Sequence, residues 1–148
     1  MRTLVVVPTY NEAENLPCLV RALFDLGLPE LRILVVDDRS PDGTGEVAEA
    51  LARAYPGRLF VLHREGPRGL GPAYRDGFRF ALGTDAEAII QMDADLSHPP
   101  AVIPQMLERV RECHVVVGSR YVAGGRVDPR WGPGRYWLSR WGNIYARL

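Results

Sequence analysis

Leu4-Val5-Val6-Val7-Pro8-Thr9-Tyr10-Asn11-Glu12 decides the fold: an unbroken apolar run, mostly valine, passes through a proline into polar side chains. A strand with one wet face would alternate; a continuous β-branched run belongs to a strand covered on both faces, as in a parallel sheet. The pattern recurs in Ile33-Leu34-Val35-Val36 before Asp37, in Leu59-Phe60-Val61-Leu62 after Pro56-Gly57, in Ala88-Ile89-Ile90 before Gln91-Met92-Asp93, and in Val115-Val116-Val117 before Gly118. Five strands are predicted. Between them apolar residues recur at three and four: Leu16, Leu19, Val20, Leu23 and Leu26; Val47, Ala48, Leu51 and Ala52 after the turn Ser40-Pro41-Asp42-Gly43; and Val102, Ile103, Met106, Leu107 and Val110. A further helix is predicted over 69–83. Alternating strands and helices define an α/β fold with a mostly parallel sheet. Pro17 requires either that Asn15 cap the first helix, with the proline in its first turn, or that the helix bend there.

A chain of 148 residues with 47% apolar and 24% charged content is that of one soluble globular domain. All eighteen basic residues are arginine, balanced by eighteen acids, so there is no net bias toward nucleic acid. The lack of lysine excludes a Walker A loop and Schiff-base chemistry. Cys18 and Cys113 lie in stretches that read as helix or strand, without CxxC spacing, and are expected to be buried free thiols. His63 and His114 adjoin strands and read as structural; His98, beside two aspartates, reads equally as loop packing or as part of a site. No signal peptide and no membrane span are expected, because no apolar run is long enough, and the expected compartment is the cytoplasm. Charge is uneven: residues 126–148 hold five arginines and one aspartate, a net +4, and also Trp131, Trp137 and Trp141. As a helix, 135–148 would gather Trp137, Trp141, Ile144 and Leu148 on one face and Arg135, Ser139 and Asn143 on another.

Ligands of open parallel sheets bind beyond the carboxyl ends of the strands. The residues delivered there are Pro8 to Glu12, then Asp37-Asp38, then Asp93-Ala94-Asp95, then Gly118-Ser119-Arg120-Tyr121. Three acidic groups and an aromatic ring converging on one rim suit a metal and a flat base. Asp93 and Asp95, two apart in extended backbone, can face one side, and hard ions such as Mg²⁺ or Mn²⁺ take such oxygens while leaving positions for phosphate. Alone, an aspartate pair of this spacing is also what a helix cap would use; its place directly after a buried strand gives it weight.

Val7-Pro8-Thr9-Tyr10-Asn11-Glu12, Val36-Asp37-Asp38 with Ser40-Pro41-Asp42-Gly43-Thr44, Gly69-Leu70-Gly71-Pro72-Ala73-Tyr74, Asp93-Ala94-Asp95-Leu96-Ser97-His98-Pro99 and Gly118-Ser119-Arg120-Tyr121 follow one another in this order. Together they resemble a family 2 inverting glycosyltransferase of GT-A fold, within it the dolichol-phosphate or polyprenol-phosphate mannosyltransferases. That resemblance implies a nucleotide-sugar-binding core over 1–125 and an acceptor- and membrane-facing tail over 126–148. It implies donor contacts from Pro8, Tyr10, Glu12, Asp38 and Ala94, with Asp37 beside them. It implies Mg²⁺ or Mn²⁺ and the donor diphosphate on Asp93 and Asp95, with Ser97 standing where some relatives carry a glutamine ligand. Arg120, Arg135 and Ser139 match positions that hold an acceptor phosphate, which makes Arg120 a catalytic residue with Asp93 and Asp95. The partners implied are a nucleotide-diphosphate sugar, GDP-mannose before UDP-glucose, a polyprenyl phosphate and the cytoplasmic membrane face. Family catalytic domains run on further, often into membrane helices.

A phosphate acceptor is already anionic and needs no general base, whereas a hydroxyl acceptor does. After Asp95 the acids are Glu108, Glu112 and Asp128, with the two glutamates on an expected surface helix, so the phosphate acceptor is the better reading. A UDP-sugar enzyme with another acceptor, and a shortened non-catalytic module that binds nucleotide sugars, are the alternatives. A phosphatase of the HAD class would need its aspartates on the first strand and a later lysine. Arg64 or Arg68 is expected near the donor.

Overall fold

The computed structural model describes residues 1–119, 122 and 132–145. Met1–His114 and Val115–Leu148 are two compact units. In the first, strands β1 (Thr3–Thr9), β2 (Leu31–Asp37), β3 (Leu59–His63) and β4 (Ala88–Gln91) alternate with helices α1 (Leu16–Phe24), α2 (Thr44–Ala54) and α3 (Leu70–Leu82), and α4 (Ile103–Arg109) follows a short 3₁₀ turn, Pro100–Val102. The second unit contains helix α5 (Pro133–Tyr145).

The sheet runs β3-β2-β1-β4, all parallel, with Thr9 of β1 level with Asp37 of β2 and Val6 level with Gln91 of β4. The chain therefore turns outward from β1 in both directions, and the carboxyl ends of β2 and β4 flank that of β1. β1 is buried along its whole length, as its continuous apolar run requires. Side chains of successive strand residues point to opposite faces. Val5, Val7, Ile33, Val35 and Leu59 pack with α1, α2 and Ile103 of α4; Leu4, Val6, Leu34 and Val36 pack with Ala73, Tyr74 and Ala81 of α3. In α1, Leu16, Leu19, Val20 and Leu23 are each at most 1% exposed, and burial of such side chains stabilises by roughly 1.5–3 kcal/mol apiece.

Asn15 stands at the cap position of α1 with Pro17 in the first turn, so the helix does not have to bend around it. The cap is made without the Asn15 side chain, whose Nδ2 donates instead to Glu12 Oε2 at 2.8 Å. The helix expected over 69–83 is α3.

Two expectations are corrected. Residues 115–117 are not a strand, and Val115 and Val117 are 75% and 79% exposed, so the described sheet has four strands rather than five. A three-residue valine run carries propensity, but a strand exists only through a hydrogen-bonded neighbour. Both cysteines are exposed: Cys18 lies on the outer face of α1, between buried Leu16 and Leu19, and Cys113 lies just past the turn that follows α4. Among the described residues no helix is long and apolar enough to cross a membrane.

Candidate functional site

Strand parity separates the two adjacent aspartates. Asp37 continues the face of Ile33 and Val35, toward α2, and is 3% exposed. Its Oδ1 accepts from Ser40 Oγ at 2.6 Å and Thr9 Oγ1 at 3.3 Å, its Oδ2 accepts the Ser40 N–H at 3.3 Å, and His63 Nδ1 lies 3.9 Å away. His63 is half exposed and meets Glu49 at 2.9 Å. A cleft of about 440 Å³ opens on this side between Asp37, Gly45, Glu46, Glu49, Arg53 and His63, away from the Asp93–Asp95 pair.

Asp38 continues the face of Leu34 and Val36, toward α3, and is 5% exposed. Both of its oxygens are taken by protein donors: Oδ1 by Arg64 Nη1 at 2.5 Å and Oδ2 by the Gly69 N–H at 2.7 Å. Arg64, 3% exposed, also donates from Nε to Asp76 Oδ2 of α3 at 2.9 Å and from Nη2 to the Pro67 carbonyl at 3.0 Å. Asp38 and Arg64 thus close the loop 64–69 from both ends. Gly69 caps α3 at φ +139°, a conformation that favours glycine. Arg68, from the same loop, stands over the half-exposed Tyr10 ring at 5.1 Å and donates to its hydroxyl at 3.2 Å and to the Arg39 carbonyl at 3.1 Å. Of the two arginines expected near the donor, Arg64 is part of the scaffold and Arg68 faces the rim.

The β1 loop is fastened to α2. The Glu12 N–H donates to Thr44 Oγ1 at 2.9 Å, and the Thr44 hydroxyl donates to Asp42 Oδ1 at 2.5 Å. That hydroxyl is the main cause holding the Asp42 carboxyl below its ordinary range. Asn11, Arg39 and Leu96, one just beyond each of β1, β2 and β4, have φ of 60°, 57° and 60°. Left-handed backbone costs a non-glycine residue roughly 1 kcal/mol or more, and three such residues at one edge mark it as held by its surroundings.

Asp93 lies beyond β4 on the α3 side, the face of Asp38. Its Oδ1 accepts from the Tyr74 hydroxyl at 2.7 Å, its N–H donates to His98 Nδ1 at 3.3 Å, and its Oδ2 has His98 Nε2 at 4.0 Å, beyond hydrogen-bond distance. His98 thus packs within the loop against Asp93, next to the rim. Asp95 is exposed; Ser97 donates to it from both hydroxyl and N–H, the latter at 2.9 Å, and the hydroxyl bond is the main reason its carboxyl titrates below the usual range. Ser97 is thus turned onto Asp95. Ala94 between the two acids is 3% exposed and packs into the core, which orients its neighbours outward. Among the described residues no three metal-ligating side chains cluster. Two carboxylates alone suit a hard divalent cation that takes its other ligands from phosphate oxygens and water, so the donor set fits Mg²⁺ or Mn²⁺.

Arg120, Tyr121, Asp128, Trp131 and Leu148 lie outside the described residues. In the second unit, Arg135 and Ser139 sit one turn apart on α5, and Trp137, Leu138, Trp141, Ile144 and Tyr145 are exposed. Three features of the site went unassigned in the sequence: the Tyr74 hydroxyl, the Arg64 bridge and the left-handed turns. Strand parity, readable from the alternation around Asp37-Asp38, could have separated those two acids.

A parallel sheet with helices on both faces and acidic groups beyond β2 and β4 is the GT-A glycosyltransferase fold. The structure superimposes on the mannosyltransferase PcManGT of Pyrobaculum calidifontis, solved with GDP-Man and Mn²⁺, with a TM-score of 0.64 and 26% identity over 74% of this chain and 32% of that one. The model of Glycosyl transferase family 2 matches residues 4–148, and the chain belongs to that family. It is 45% identical to the undecaprenyl-phosphate mannosyltransferase of Micrococcus luteus over 100% of its own length and 60% of the relative's. It is 46% identical to the polyprenol monophosphomannose synthase of Mycolicibacterium smegmatis over 99% of its length and 55% of the relative's. The chain thus spans little more than half of these curated relatives.

Proposed function

We propose that this chain carries the donor-binding and catalytic core of a transferase that moves mannose from GDP-mannose to a polyprenyl phosphate with inversion. The observation that supports it most is the pairing, on one face of one rigid unit, of the Asp93–Asp95 rim with the Asp38–Arg64–Arg68 loop, in a chain so similar to two transferases named for mannose and polyprenol lipids. Tyr10 and Arg68 offer a flat cationic surface for the base, with Glu12 beside them, while the buried Pro8 and Ala94 set the backbone of the rim around the donor. Asp38 acts on the donor by holding the loop 64–69, and Asp37 by holding Thr9 and Ser40.

Asp93 and Asp95 would hold the divalent cation, Asp95 steadied by Ser97. When bound, that cation neutralises the departing diphosphate. An oxygen of the acceptor phosphate attacks the anomeric carbon from the face opposite the leaving group. The new C–O bond forms as the bond to the diphosphate breaks, and the nucleoside diphosphate leaves with the electron pair. The acceptor is anionic at neutral pH, so no proton has to be removed, and positioning carries the rate. Arginine's planar fork suits phosphate, and Arg120, Arg135 and Ser139 are proposed to receive it. The apolar side of α5 is proposed to lie at the lipid interface on the cytoplasmic face, with its rings at headgroup depth.

Calorimetry with GDP, UDP and GDP-mannose, each with and without Mn²⁺, tests the donor. GDP-mannose is expected to bind most tightly and with metal dependence, and Asp93→Asn or Asp95→Asn each to weaken that metal-dependent binding while the fold persists. Preference for UDP overturns the mannose reading. Co-sedimentation with anionic vesicles, weakening as salt screens the charge, tests the interface.

A further inference from the structure

Tyr74 sits in the second turn of α3, is 7% exposed, and donates its hydroxyl to Asp93 Oδ1 at 2.7 Å. The single phenolic proton goes to Asp93, which as a carboxylate has none to give. The ring is fixed by stacking on Phe78 and by packing against the α3 side of the sheet. The Asp93 carboxylate is thus held by one oxygen, and among the described residues no donor stands within hydrogen-bond distance of the other. α3 is held at its start by Asp38, through the Gly69 N–H, and a turn later holds Asp93 through Tyr74. One helix joins the loop that faces the base to the acid that faces the diphosphate.

We propose that Tyr74 is a positioning residue for the donor complex: its hydroxyl orients Asp93 so that the second carboxylate oxygen meets the divalent cation, and α3 thereby couples nucleotide binding to metal binding. The proposal rests on the donor reading above. Groups that orient a ligating side chain typically change metal affinity by about 10-fold or more when removed. A buried hydroxyl that served stability alone would lower the melting temperature and leave metal affinity untouched.

The test is a Mn²⁺ titration followed by electron paramagnetic resonance, in the presence of GDP and, separately, UDP, on the wild type, Tyr74→Phe, Asp93→Asn and the double variant. Thermal melting checks each fold. Tyr74→Phe is expected to weaken Mn²⁺ binding about 10-fold in the nucleotide complex, to leave metal-free nucleotide affinity unchanged, and to add nothing in the Asp93→Asn background, because it acts through Asp93. Mn²⁺ affinity within twofold of wild type, or losses that simply add in the double variant, overturns the role of Tyr74 alone. Wild-type binding of Mn²⁺ with UDP but not GDP overturns the GDP-mannose reading and leaves Tyr74 judged on the UDP arm. Failure of the wild type to bind Mn²⁺ with either nucleotide overturns both.

Discussion

Replacing Gly77 by alanine probes how closely α3 must approach the sheet. A Cβ at this position would stand 2.5 Å from Val6 Cγ1 and 3.1 Å from Val36 Cγ2, whereas ordinary contact begins at 3.4 Å. Val6 and Val36 are fully buried and β-branched, so neither can rotate away cheaply. The helix must retreat by about 0.9 Å, the difference between 3.4 and 2.5 Å. Tyr74 lies three residues earlier on the same face, and its 2.7 Å bond to Asp93 would lengthen to about 3.6 Å, which is no longer a hydrogen bond. Overpacking costs about 1–3 kcal/mol, offset by up to about 1 kcal/mol from replacing a mid-helix glycine. A net loss of about 1–2 kcal/mol lowers the melting temperature of a chain this size by roughly 2–8 °C. Gly71→Ala is the control: it lies in the same helix with nothing within 4 Å of the added carbon, and is expected to be neutral or slightly stabilising. Thermal unfolding and Mn²⁺ titration with GDP are the assays. A Gly77→Ala protein that melts at or above wild type and binds Mn²⁺ normally would refute the close-approach argument.

Other outcomes follow from the same geometry. Arg64→Met strands the buried Asp38 carboxylate and is expected to cost on the order of 3–5 kcal/mol in urea unfolding, and clearly more than Asp76→Asn, whose carboxylate is partly exposed; a loss below about 1 kcal/mol for Arg64→Met would count against the bridge. Asp42 titrates below its ordinary value of about 3.9 because Thr44 donates to it. A depressed carboxyl contributes stability in full above the unfolded value, and that contribution is lost as pH falls through the lower folded value. Thr44→Val should move the Asp42 titration upward in carboxyl NMR and flatten that part of the acid profile; an unmoved titration would place the cause elsewhere.

The parallel sheet was legible because burial on both faces leaves a one-dimensional trace, the continuous runs around Val5, Val35 and Ile90. Helices α1, α2 and α4 were legible because one apolar face at spacing three and four is likewise local. The fifth run, at 115–117, had the same composition and formed no strand, since ladder pairing depends on a neighbour that composition does not supply. The cysteines failed in another way: Cys18 sits between buried Leu16 and Leu19, and a half-turn of phase decides between core and solvent.

The order of motifs from Pro8 to Ser119, and therefore the family, was determined by the sequence by itself, because chemistry at strand ends keeps fixed residue types at fixed places along the chain. Which acids face one another was decided only in three dimensions. Asp37 and Asp38 are adjacent in sequence yet serve opposite faces of the sheet. Asp38 is satisfied by Arg64 and Gly69, 26 and 31 residues away, and Asp93 by Tyr74, 19 residues away. Such pairings arise when α3 closes onto the sheet at Gly77, and a buried charge accepts whichever donor that closure brings within reach.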